Sequence, residues 1–93
     1  MKPFDWNEEK NKWLKQHRDV SFEQVVLAVE NEKLLDVIRH QNQAKYKGQH
    51  VYVIELEGYA YMVPYVEDDN VIFLKTIFPS RKFTRVYRRK DEK

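Results

Sequence analysis

The chain contains no cysteine, which excludes disulfides and any thiolate-ligated zinc. It has only two glycines, Gly48 and Gly58, too few for a glycine-rich loop that would cradle phosphates. No stretch approaches the roughly 20 apolar residues that a membrane-spanning helix needs. The opening Met1-Lys2-Pro3-Phe4-Asp5-Trp6 has no apolar run followed by small residues, so no signal peptide is expected. There is no internal repeat, no low-complexity segment and no linker-like composition. These absences lead to the expectation of one small soluble domain over residues 1–93, in a reducing, cytoplasmic setting, with no membrane association.

What is present is apolar residue enough for a core. Hydrophobic types make up 42% of the chain, which offsets a polar mean hydropathy of −0.81. A chain of this length buries only about 60–65% of its unfolded surface, so a bound partner would add usefully to its stability. The charge is close to balanced, with 17 basic and 15 acidic residues, but its distribution is not. From Lys75 to Lys93 there are eight basic residues against Asp91 and Glu92, while residues 1–74 are net acidic. Phosphate contacts come mainly from Arg and Lys, so this asymmetry points to a polyanion site at the C-terminal end. For the run Arg88-Arg89-Lys90 a solvated tail is an equal reading.

Periodicity places the elements. Asn7 as N-cap, with Glu8 and Glu9 after it and Lys12 and Lys15 further on, predicts a helix over Glu8–Gln16, with Trp6, Trp13 and Leu14 on its buried side. Ser21 and Gln24 form a capping box, with Val20 and Val25 as its hydrophobic staple. Phe22, Val25, Val26 and Val29 share one face, which predicts a second helix over residues 22–32. Extended runs follow at Leu34–Ile38, His50–Leu56, Tyr59–Val66 and Val71–Phe78. Residues 40–49 form a polar loop, Glu57-Gly58 a tight turn, and Asp68-Asp69-Asn70 a second turn. Pro64 cannot donate to a ladder and marks an irregularity. The expected fold class is α+β: two N-terminal helices, a four-stranded antiparallel meander, and a basic segment that turns helical after Pro79-Ser80. Alternation in the last strand puts Ile72, Leu74, Thr76 and Phe78 on one side, and Val71, Phe73, Lys75 and Ile77 on the other. Lys75 is expected near Arg81 and Lys82.

His17, His40 and His50 lack metal-ligand spacing, so no metal and no other cofactor is expected. Ser21 is used as a cap and Ser80 follows a proline, which leaves no serine with nucleophile context. There remains a basic and aromatic set: Lys10, Lys12, Lys15, His17, Lys75, Arg81, Lys82, Arg85 and Tyr87. RNA carries its own nucleophile in the 2′-hydroxyl. A ribonuclease without metal therefore needs phosphate clamps, cations for the pentacoordinate transition state, and a group that moves protons. Arg supplies the first two, His or a Lys of lowered pKa the third, and Tyr87 or Phe83 a surface for a splayed base. The same residues also suit a non-catalytic nucleic-acid binder, or a tail that docks an acidic protein. Composition leaves these readings open.

The opening Phe4-Asp5-Trp6-Asn7-Glu8-Glu9-Lys10-Asn11, continued by Trp13-Leu14-Lys15-Gln16-His17 and Val20-Ser21-Phe22-Glu23, resembles the BrnT family of bacterial type II toxins. The closing Ile77-Phe78-Pro79-Ser80-Arg81-Lys82-Phe83-Thr84, with Tyr87 after it, is similar to that family's ending. Arg18-Asp19 stands where the family has a glycine, and Asn7 where it has an aspartate. The run Tyr59–Val66 has no basic residue where the family carries an arginine. The resemblance implies a RelE-like endoribonuclease toxin that inhibits translation by cutting RNA. It implies Lys15, His17, Arg81 and Lys82 as the functional residues, with Tyr87 stacking a base. It also implies a hetero-oligomer with an antitoxin that carries a ribbon-helix-helix DNA-binding domain.

Overall fold

The computed structural model describes residues 2–39 and 41–91, with side chains described as far as Tyr87 in the last helix. The elements are β1 (Phe4–Trp6), α1 (Glu8–His17), α2 (Phe22–Glu30), β2 (Leu34–Arg39), β3 (Gln49–Leu56), β4 (Tyr59–Glu67), β5 (Ile72–Leu74), β6 (Phe78–Pro79) and α3 (Arg81–Asp91). The fold is α+β, and the sheet is mixed, in the order β1-β5-β4-β3-β2, with β6 on β4. The expectation of an antiparallel meander after the helices needs correction at β1. Phe4–Trp6 precedes the helices and pairs in parallel with β5. Three residues followed at once by an N-cap carry too short a pattern to read as a strand.

The helix starts follow from their caps. The Asn7 side chain accepts from the Lys10 amide at 2.9 Å. At α2 almost every donor of the first turn is accounted for. The Ser21 amide donates to Gln24 Oε1 at 2.9 Å, and the Gln24 amide to Ser21 Oγ at 3.3 Å. The Phe22 amide donates to Asn11 Oδ1 at 2.8 Å, and Asn11 Nδ2 donates on to Glu23 at 2.8 Å. Asn11 is thus a buried polar clamp between the two helices, 1% exposed.

β3 and β4 are joined by Glu57-Gly58, both at positive φ (52° and 80°). That is the primed turn whose twist matches the flanking strands. Along the other edge of β4, Tyr65 faces Leu74 and Met62 faces Phe78. Val63 and Pro64 therefore oppose three residues, Lys75, Thr76 and Ile77. Pro64 has no amide to offer, and the expected single strand is broken there by one extra residue. The bulge reverses the side-chain alternation beyond it. Ile77, fully buried, joins Ile72 and Leu74 in the core, which corrects the expected placing of Thr76 and Phe78.

On one face of the sheet Leu14, Phe22, Val25 and Ala28 pack against Ile54, Val63, Tyr65 and Leu74. The opposite face carries Val53 and Ala60, also buried, and α3 lies over this side. Hydrogen bonds help to hold it there. The Ala60 amide donates to Thr84 Oγ1 at 2.9 Å, the Thr84 hydroxyl to Ser80 O at 2.6 Å, and the Tyr87 hydroxyl to Leu35 O at 3.4 Å. Among the described residues no helix is long and apolar enough to cross a membrane.

Candidate nucleic-acid interface

Two distant segments meet where α1 ends. Arg18, just past the helix, donates from Nη1 to the Ile77 carbonyl at 2.5 Å. Ile77 leads through β6 to Ser80, whose hydroxyl accepts from the Phe83 amide at 3.2 Å and so caps α3. Arg81 and Lys82 then occupy the first two positions of that helix, both exposed, with no acidic residue in the first turn. The amides there already present a positive field, and each added cation costs about 0.3–1 kcal/mol. An anion at this point relieves both terms. Tyr61 pairs with Pro79 in β6. Its phenol is pushed up, first by burial and then by the charges of Glu57, Tyr59 and Asp19.

The surface of α1 holds a second cluster. Trp13 was expected to be buried, but it is 37% exposed. The His17 ring stacks on it at 4.6 Å with an interplanar angle of 20°. His17 Nδ1 lies 3.0 Å from the Trp13 carbonyl, which can only accept, so this nitrogen carries the proton. The Lys10 ammonium is 4.3 Å from the indole centroid, and the Arg18 guanidinium carbon 4.9 Å.

The remaining residues of the expected set fall in different places. Lys15 sits 3.7 Å from Glu23, both about half exposed, a pair of little energetic weight. Lys12 and Arg85 are exposed on α1 and α3. Tyr87 is half-buried, stacked on Phe83 at 6.3 Å. Lys75 does not lie beside Arg81. Its amide bonds to Pro64 O and that of Ser80 to Ala60 O, four residues apart along β4, or about 13 Å. It lines a small cleft of about 200 Å³ with Ile38, Val51 and Pro64. Arg88, Arg89 and Lys90 lie outside the residues whose side chains are described, as does His40.

A wider cavity, about 610 Å³, lies elsewhere, between the loop before β3 and the end of β4. Its cations, Lys2, Arg39 and Lys47, are set against Glu67, Asp68 and Asp69, and Lys2 is paired with Glu67 at 2.6 Å. That mixture offers little net field to a phosphate. His50 beside it packs on Tyr65 at 5.4 Å. Among the described residues no three His, Asp or Glu side chains gather as a metal site.

Sequence reasoning left Trp13 and Arg18 out of the candidate set. For Trp13 a signal existed, since Lys10 and His17 stand three residues before it and four after, on one helix face. Arg18 joins the candidate site only through a tertiary contact. Comparison of the chain with protein-family models, with curated proteins and with solved structures gives no match. The resemblance therefore rests on the motifs quoted above.

Proposed function

We propose that this protein is a RelE-like endoribonuclease toxin of a type II toxin–antitoxin pair, which inhibits translation by cutting RNA without a metal or other cofactor. Its partner is an antitoxin with a ribbon-helix-helix DNA-binding domain. The observation that carries the reading is the junction of β6 and α3. Arg81 and Lys82 stand together at a helix N-terminus, uncompensated by any acidic side chain in that turn, with Arg18 at the end of α1 bonded to the strand segment that leads there.

In this reading the phosphate adjoining the scissile bond rests on the α3 N-terminus. Arg81 and Lys82 take the charge that builds on its oxygens. The 2′-hydroxyl loses its proton, its oxygen attacks phosphorus, and the bond to the 5′-oxygen breaks as that oxygen gains a proton. The products are a 2′,3′-cyclic phosphate and a free 5′-hydroxyl. His17 is the candidate for proton movement: with Nδ1–H held by the Trp13 carbonyl, the neutral ring keeps Nε2 as an acceptor. Lys15, beside Glu23, is retained as a substrate contact. Lys10, Lys12, Lys75, Arg85 and Tyr87 extend the RNA-binding surface.

Expression without the partner is expected to arrest growth. Arg81→Ala or Lys82→Ala is expected to relieve the arrest with the folded circular-dichroism spectrum retained, and purified protein to leave cyclic-phosphate ends on RNA. Unimpaired growth with folded wild type present, and intact RNA in vitro, would refute the proposal. RNA bound but uncut would instead identify a non-catalytic binder.

A further inference from the structure

An indole left more than a third exposed on a helix surface contributes little to a core, and Trp13 is absent from the core cluster. Three cationic or titratable groups gather on it. Lys10 reaches it from the N-terminal side of the helix, and His17 and Arg18 from the C-terminal side. Two of the three are themselves pinned, His17 by the Trp13 carbonyl and Arg18 by the Ile77 carbonyl. The result is a restrained two-ring stack, with the outer side of an exposed imidazole turned to solvent and fixed positive charge beside it.

Single-stranded nucleic acid is bound by this combination: an aromatic surface for the base, which every base can use, and cations for the backbone. A base inside a duplex has no free face to offer. We propose that the Trp13–His17 stack is a base platform for single-stranded RNA, on which an unpaired base continues the stack on the imidazole while Lys10 and Arg18 meet the flanking phosphates. This rests on the RNA reading above and adds a binding residue, Trp13, to it. The Arg18–Ile77 bond joins the platform to the segment carrying Arg81 and Lys82, so one strand of RNA crosses both.

Trp6 and Trp13 are the only tryptophans. Trp6→Phe keeps an aromatic ring on Phe22, where the native stack is at 5.7 Å, and leaves Trp13 as the sole reporter. This protein would be titrated with a short 2′-fluoro RNA, which lacks the attacking hydroxyl. The emission of Trp13 is expected to be quenched saturably, with little dependence on base sequence and much less by the same oligonucleotide in a duplex. In the wild-type background, Trp13→Leu is expected to weaken binding about 5- to 100-fold, and Trp13→Phe much less. Binding that leaves the emission and the Trp13→Leu affinity unchanged would overturn the platform while leaving the ribonuclease reading in place. Equal quenching by polyglutamate would also overturn it, since plain charge would then suffice. Wild-type protein that neither binds nor cuts RNA would take down the parent reading with it.

Discussion

Asn11 offers the sharpest test of how the two N-terminal helices are held. Its side chain is almost fully buried and spends both its polar atoms on α2, accepting from the Phe22 amide and donating to Glu23. In Asn11→Ala the Phe22 amide stays buried without an acceptor, which costs about 1–3 kcal/mol. The lost bond to Glu23 and the small void add to this, though Glu23 is half exposed and water replaces part of that bond. A total loss of about 2–4 kcal/mol follows, equivalent to a fall in Tm of roughly 10–25 °C for a domain of this size. Urea unfolding followed by circular dichroism would show a lower midpoint with an unchanged m-value. Lys15→Ala is the control, since it removes the 3.7 Å ion pair from the same Glu23 and should cost under about 0.5 kcal/mol. The pH dependence separates the terms further. Glu23 is held below its ordinary value, first by the Asn11 bond. Its contribution is therefore present above the unfolded value of 4.5 and is lost as pH falls through the folded one. Asn11→Ala should flatten that acid limb. Asn11→Asp keeps the acceptor for Phe22 but sets a second carboxylate against Glu23, so its stability should rise as pH falls from 7 toward 5. A loss below about 1 kcal/mol in Asn11→Ala, or an equal loss in Lys15→Ala, would refute the reasoning.

Three further outcomes follow from single contacts. At Gly48 (φ +77°) an added Cβ would lie 2.4 Å from the Glu67 carbonyl oxygen, whereas at Gly58 (φ +80°) it meets nothing within 4 Å. Gly48→Ala should therefore cost about 2–4 kcal/mol in thermal unfolding and Gly58→Ala about 1; equal costs would show that the close approach is not the cause. Thr84→Val leaves the Ala60 amide without its acceptor and should loosen α3 by about 1–3 kcal/mol, read as faster hydrogen exchange at Ala60 with the α1–α2 face still protected. The Asp68 carboxylate accepts from the Asn70 and Val71 amides, both at 2.8 Å, and these bonds hold its carboxyl below the ordinary 3.8. That contribution is present above 3.8 and disappears as pH falls below it. Asp68→Asn keeps the acceptor oxygen, so it should remove this part of the acid sensitivity while preserving the turn at neutral pH.

How much of this was legible in the sequence depended on whether the determining contact was local. The caps at Asn7 and Ser21, the Glu57-Gly58 turn and the helix after Pro79-Ser80 all depend on residues within four positions of one another, and each appears where expected. β1 was not legible, because its partner β5 is more than 60 residues away and its three residues show no period. The register break opposite Pro64 was foreseeable in kind from the missing amide, but its consequence, Ile77 turning inward, required knowing which strand lay alongside. The charge asymmetry grouped Lys75 with Arg81 and Lys82, and the separation between them along β4 was not legible, since composition carries no distance along an edge.

The same distinction bears on why the cations of this chain are not equivalent. A basic residue on a helix flank, such as Lys12 or Arg85, is solvated and screened, and its field reaches about a Debye length. Arg81 and Lys82 differ because their positions oppose the helix dipole, a conflict that local propensity alone would not select. Arg18 differs because its guanidinium is bonded to a carbonyl 59 residues away, which lowers the entropy it would lose on gripping a ligand. Conflict at one residue pair and preorganisation at another, on two segments joined by one hydrogen bond, set this end of the molecule apart from the merely basic. That pattern, more than net charge, argues for a site built to hold an anion.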